Sequence, residues 1–253
     1  MNLHIVASGN GPDLVLLHGW GMHAGVWDEI ALELNARLRT HRVDLPGHGQ
    51  SPSCETYTLD ALVDALAAAL PQRVMVCGWS LGGLVALAWA LRYPAQVERL
   101  VLYSTSPCFT RAPDWDCGIE PEVWDGFARE LARDPKRTLA RFAALQSQGD
   151  TEAASVLRQL RAQLAAAPAP DARTLAAALA ILGETDLRSE LATIRQPVLI
   201  AHGARDRIVP LAAARYLQSA LAHATLRVDD RSAHAPFISE PKTSARDILE
   251  FCT

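Results

Sequence analysis

Three residues in this chain have the types and the order that acyl-transfer chemistry needs. Ser80 lies in "VCGWSLGG" (76–83), Asp206 in "LIAHGARDRIVP" (199–210) and His234 in "DDRSAHAPF" (229–237). A serine hydroxyl is a weak nucleophile near neutral pH, so it needs a base, and the base needs a group to orient it. "GWSLG" fits the G-x-S-x-G pattern of a nucleophile held on a tight strand-to-helix bend, whose partners follow in the order serine, acid, histidine. The glycines leave room where side chains would strike the neighbouring strand and helix. The helix after the bend points its N-terminus at the serine and favours negative charge there.

Other residues compete for these roles. Asp229 and Asp230 lie just before His234 and read better as the end of a strand. Asp44, in "VDLPGHGQS", follows a strand but precedes the serine, which suits a structural role in its loop. The chain has eight histidines, so most are bystanders. His202 reads as a packed loop residue, and His4, His41 and His223 as surface or strand-edge residues. His234 differs because it follows the last predicted strand. An ester oxygen that turns into an oxyanion needs preorganised N–H donors. The backbone N–H of Leu81 is one candidate. Trp20, in "HGWG" (18–21), is the other, and its indole is a candidate pocket wall. No HExxH, cysteine pair, Walker loop or GxGxxG supports a metal or nucleotide site, so no metal and no cofactor is expected.

The elements that must position these residues alternate. Apolar runs at 14–19, 41–45, 74–79, 99–105, 197–203 and 225–230 predict strands. Most are continuously apolar, as in a parallel sheet covered on both faces. Helical patterns lie at about 24–36, 58–69, 82–93, 210–221 and 241–251. Together they predict βαβ units and an α/β fold with a mainly parallel sheet flanked by helices. From 109 to 188 no convincing strand is found, so this stretch reads as a helical cap inserted into a core of 1–108 and 189–253. Pro135 suits the first turn of a helix that begins after Asp134. Pro168 and Pro170 separate two further helices.

Composition narrows the function. Hydrophobic residues make up 49% and charged residues 21%, as in globular proteins generally. The net charge of −4 gives no global reason to expect a nucleic-acid partner. No apolar run approaches the roughly 20 residues of a membrane span, and the N-terminus lacks a signal-peptide pattern. The five cysteines are scattered and form no CxxC, which predicts reduced thiols in the cytoplasm.

The ordered motifs "LLHGWG", "VDLPGHGQS", "GWSLGG", "HGARDRIVP" and "AHAPFISEP" resemble the α/β-hydrolase superfamily over nearly the whole chain. "LLHGWGMHAGVW", "STSPCF", "RFAALQ" and "SAHAPFISEP" resemble more narrowly the BioH family of pimeloyl-acyl carrier protein methyl ester esterases in biotin synthesis. This resemblance implies a cytoplasmic carboxylesterase, taken as a monomer, with acyl carrier protein as partner. It implies Ser80 as nucleophile, Asp206 as orienting acid and His234 as base. Trp20 and Leu81 would contact substrate and form the oxyanion hole. Phe142, Ala143, Ala144, Leu145 and Gln146 would line an acyl channel. Arg137, Arg141 and Arg158 would grip the acidic carrier. A further family arginine falls on Ala154, so that contact is absent or replaced, with Arg161 nearby.

From 129 to 161 there are seven basic and four acidic residues, a local excess of +3 in an acidic chain. Such a patch suits an acidic partner but also suits an ordinary solvated helix face. The same triad serves broad carboxylesterases and carbon–carbon bond hydrolases. A dehalogenase fits poorly, because that chemistry needs an aspartate where Ser80 stands. The fold also serves as a small-molecule receptor.

Overall fold

The computed structural model describes residues 2–253. Seven strands form one sheet: β1 (Ile5–Ser8), β2 (Asp13–Leu17), β3 (Arg39–Val43), β4 (Val74–Trp79), β5 (Val97–Tyr103), β6 (Val198–Gly203) and β7 (Ala224–Asp229). Their spatial order is β1-β3-β2-β4-β5-β6-β7. Only β1 runs antiparallel, against β3; every other pairing is parallel. The six predicted strands all form. β1 was not predicted: its four residues "IVAS" are half-exposed and carry no alternating pattern.

Among the described residues ten α-helices accompany the sheet. They are α1 (Asp28–Leu34), α2 (Leu59–Ala69), α3 (Leu81–Arg92), α4 (Pro121–Arg133), α5 (Pro135–Ser147), α6 (Ala153–Ala166), α7 (Ala172–Glu184), α8 (Leu211–Ala220), α9 (Pro236–Ser239) and α10 (Pro241–Cys252). The helical pattern at 24–36 divides into a 3-10 turn, Ala24–Trp27, followed by α1. The His23 side chain accepts from Gly25 N and caps that turn.

The sheet carries a core on each face. Val15, Leu17, Val76, Leu100, Leu102 and Ile200 pack in one cluster with residues of α2, α3 and α8. Their strand neighbours Leu14, Leu16, Met75, Cys77, Val101 and Leu199 pack in the other, with α1 and α10. Both faces of each central strand are therefore buried, which explains the unbroken apolar runs.

Between β5 and β6 the chain builds α4 to α7, with three isolated bridges and no strand among the described residues. Pro135 opens α5, and the Asp134 carboxylate accepts from Arg137 N at 2.9 Å as its cap. Pro168 and Pro170 lie between α6 and α7.

Candidate active site

Ser80 joins β4 to α3 with φ +54° and ψ −113°, a conformation that residues with a Cβ rarely adopt. The bend is pinned on both sides. Ser80 N–H donates to Tyr103 O at 2.9 Å, and Thr105 Oγ1 donates to Ser80 O at 2.7 Å. The glycines serve close approach. A Cβ on Gly78 would lie 2.2 Å from Gly82 O, and one on Gly82 would lie 2.4 Å from Leu17 O.

Asp206 follows the end of β6. Its Oδ1 accepts from Ile208 N at 2.8 Å and Val209 N at 3.0 Å, and its Oδ2 accepts from His234 Nδ1 at 2.7 Å. Burial alone would raise this carboxyl's pKa. The neighbouring His234 and the other donors outweigh burial and hold it below the ordinary carboxylate value. His234 is buried in the loop after β7. With Nδ1 engaged, its Nε2 has no hydrogen-bond partner among the described residues. A neutral imidazole whose Nδ1 donates in this way carries its lone pair on Nε2.

The backbone N–H groups of Trp20 and Leu81 likewise meet no backbone acceptor among the described residues. The Trp20 indole donates to Leu175 O at 2.9 Å and stands edge-on to Phe127 and Phe142. A cavity of about 280 Å³ opens over Ser80, walled by Trp20, Phe109, Trp124, Phe127, Leu179 and Leu182. From the predicted channel stretch, Phe142 and Leu145 also line it. Ala143 instead packs among Val156 and Leu160, and the Gln146 carbonyl accepts from His234 N at 3.2 Å. Ala144 does not reach the cavity wall, nor does the Leu81 side chain, which lies in the core. The reason is helical geometry: positions three apart share a face, so five consecutive residues cannot all face one space.

The pattern that defines the alpha/beta hydrolase fold matches residues 12–241. This chain belongs to the alpha/beta hydrolase family. It is 47% identical over 241 residues to a pimeloyl-[acyl-carrier protein] methyl ester esterase of Nitrosomonas europaea, covering 95% of this chain and 96% of that one. It is 43% identical over 253 residues to a protein of the same name from Aeromonas hydrophila, covering 99% of each. Among solved structures, an enol-lactonase from Burkholderia xenovorans superposes with a TM-score of 0.85 at 26% identity, covering 99% of this chain and 96% of that one.

In this alpha/beta hydrolase the predicted carrier-contact arginines are all exposed. Arg137 and Arg141 border a groove of about 260 Å³ with Arg133, Glu130 and Asp134. Arg141 pairs with Glu130. Arg137 on α5 and Arg158 on α6 have no acidic side chain within ion-pair distance among the described residues.

The bystander histidines have structural partners. His18 Nδ1 donates to Gly19 O at 2.8 Å, and its Nε2 accepts from Leu45 N at 3.0 Å. His202 Nε2 donates to Val209 O at 2.9 Å. The Asp44 carboxylate accepts from Ala24 N at 2.7 Å and Gln50 N at 2.9 Å, tying loops together. Among the described residues no cluster of three or more metal-ligating side chains occurs, and no helix is long and apolar enough to cross a membrane.

Two supports of the histidine loop escaped the sequence reading. The Trp79 indole donates to His234 O at 2.8 Å. Asp150, in the turn between α5 and α6, accepts from Ala233 N at 2.9 Å and Ser239 Oγ at 2.5 Å through Oδ2, and from Glu152 N at 2.8 Å through Oδ1. Trp79 lies inside the serine motif, and nothing in that pattern marks its indole as a tether for a distant loop. No motif marks Asp150.

Proposed function

We propose that this alpha/beta hydrolase is a serine carboxylesterase that converts pimeloyl-[acyl-carrier protein] methyl ester to pimeloyl-[acyl-carrier protein] and methanol. The observation that carries the reading is the buried Asp206–His234 pair, 2.7 Å apart, whose far imidazole nitrogen has no partner among the described residues, together with an apolar cavity that Ser80 lines. The near full-length relatives that bear this esterase name support the choice of substrate.

In the proposed reaction His234 Nε2 takes the Ser80 proton as Ser80 Oγ attacks the ester carbonyl. The oxyanion is held by the N–H groups of Trp20 and Leu81. On collapse His234 returns the proton to the leaving methoxide, which departs as methanol, and an acyl-enzyme remains. Water then attacks the acyl-enzyme, giving its proton to His234, and the carboxylic acid and free Ser80 are released. Asp206 keeps the imidazole in the tautomer that leaves Nε2 open. The apolar cavity takes the methylene chain. Residues 109–188 act as a lid over a core of 1–108 and 189–253, and Arg137, Arg141 and Arg158 attract the acidic carrier. The enzyme acts as a monomer in the cytoplasm, a reducing compartment that suits its five free cysteines.

The experiment is methanol release from methyl pimeloyl-acyl carrier protein, beside monomethyl pimelate and beside Ser80→Ala and Arg137→Ala/Arg141→Ala variants. Multiple turnover of the carrier-bound ester, lost with Ser80 and weakened without the arginines, is the expected result. Turnover of small esters alone would retain the triad chemistry and reject the carrier substrate. A single turnover followed by arrest would point to a receptor.

A further inference from the structure

The cavity over Ser80 is apolar except at its rim. Of the side chains that line it, three belong to exposed residues: Val123, Arg141 and Arg207. Two of these are cations, and no acidic side chain lines the cavity. The two arginines come from different elements, Arg141 from α5 and Arg207 from the loop after β6. Arg141 is already engaged by Glu130. Arg207 has no carboxylate within ion-pair distance and donates no side-chain hydrogen bond among the described residues.

The backbone around Arg207 is fixed while its side chain is free. Asp206 Oδ1 holds the N–H groups of Ile208 and Val209, the two residues that follow Arg207. The guanidinium runs beside the turn before α6, where a Cβ on Gly149 would lie 3.7 Å from Arg207 Nε. A cation that is unneutralised, backbone-anchored and set at the lip of an apolar cavity lowers the free energy of an anion brought there. A guanidinium also offers a planar fork that matches carboxylate and phosphate oxygens.

We propose that Arg207, with Arg141, forms an anion subsite at the cavity rim that selects esters whose distal end, beyond an apolar spacer, carries a carboxylate or phosphate. The inference rests on the esterase reading for its substrate class. Two sources share this chemistry. A carrier-bound substrate supplies the phosphodiester of its phosphopantetheine arm, and a free half-ester supplies a carboxylate. Arg207 would act in binding and not in the chemical step, because the reacting ester lies at Ser80, deeper in the cavity.

The test compares matched neutral and anionic methyl esters in wild type, Arg207→Gln and Arg207→Lys. One pair is methyl heptanoate and monomethyl pimelate. The other is methyl pimeloyl-pantetheine and methyl pimeloyl-phosphopantetheine. In wild type the anionic member of at least one pair should have the lower KM. Arg207→Gln should erase that preference, a change of about tenfold in the KM ratio, with the kcat ratio unmoved. Arg207→Lys should restore part of it. Each comparison is a ratio within one variant, so partial unfolding cancels. Loss in the first pair assigns the subsite to a carboxylate, and loss in the second to a phosphate. An unchanged KM ratio in both pairs overturns the proposal. If the carrier-bound ester is not hydrolysed while the Arg207 dependence persists on half-esters, the carrier reading fails and the subsite stands.

Discussion

Asp150 and Ala233, 83 positions apart, are joined by one hydrogen bond of 2.9 Å from the Ala233 N–H to Asp150 Oδ2. Ala233 precedes His234, so the turn between α5 and α6 holds the histidine loop from the helical insertion. The bond has neighbours. Thr151 N–H donates to Arg231 O at 3.0 Å, and His234 N–H donates to Gln146 O. Asp150→Ala leaves the buried Ala233 N–H without its acceptor, at about 1–3 kcal/mol, and takes an acceptor from two part-buried donors, Ser239 Oγ and Glu152 N. It should lower stability by about 2–4 kcal/mol in urea unfolding. It should also lower kcat on a small ester while KM stays near wild type. Asp150→Asn keeps an acceptor and should recover part of both. Full kcat in Asp150→Ala would mean that the loop needs no support from this turn.

The Trp79 indole makes the second tether, to His234 O. Trp79→Phe removes the donor but keeps an aromatic ring against Phe237, which packs 5.1 Å away between centroids. Steady-state kinetics should show kcat reduced about tenfold and KM little changed, the cost of one lost hydrogen bond to a positioning contact. Equal loss in KM would indicate a collapsed cavity instead.

Acid should unfold this protein earlier than its carboxylates alone require. Burial, and for His18 the neighbouring His48, lowers the pKa of His18 to about 3. Burial lowers that of His48 to about 4. Both rings stay neutral in the folded chain while the unfolded chain takes up protons below about pH 6.5. Stability is therefore intact above pH 6.5. It falls as pH drops toward the folded values, by about tenfold per pH unit for each histidine. Asp206, whose carboxyl is held low, contributes in the same direction, but only below the ordinary carboxylate range. Urea midpoints from pH 7 to pH 5 should decline, and His48→Gln should make the decline shallower by about one proton. A flat profile would contradict the neutral buried rings.

Ser80 is held in a backbone conformation that costs a non-glycine residue on the order of 1–3 kcal/mol. Glycine adopts it freely. Ser80→Gly and Ser80→Ala should both be inactive, yet the glycine variant should melt higher than the alanine variant. Thermal unfolding monitored by circular dichroism would decide it, and equal melting points would mean that the bend stores no strain.

Ser80, Asp206 and His234 were legible because each lies just past the end of a strand, and strands buried on both faces announce themselves as apolar runs. The backbone N–H groups of Trp20 and Leu81 are expected as donors from sequence because the loop after β2 and the first turn of α3 have fixed places relative to the bend; the structure leaves both without a backbone acceptor among the described residues. The cavity wall was less legible. A run of five residues from Phe142 was expected to face the channel, but the helix turned Phe142 and Leu145 inward and Ala143 into the other core. Phe109 and Trp124 line the cavity because of where the inserted helices pack, which hydrophobic periodicity does not encode. Asp150 was invisible for the same reason: a carboxylate in a polar turn looks solvated until tertiary contact buries it. β1 was missed because an edge strand of four half-exposed residues carries too little alternation to read.

The Trp79–His234 hydrogen bond links residues 155 positions apart, and it has a consequence for a chain emerging from the ribosome. Synthesis delivers Ser80 on its bend early, with β2, β4 and the start of α3 available to seat it. The proposed base, His234, arrives only with the stretch after β7. Domains assemble as their parts emerge, so the proposed nucleophile precedes its proposed base by more than half of the chain. On the proposed triad a chain halted before β7 should lack esterase activity, and activity itself would report that β7 and the loop after it have docked.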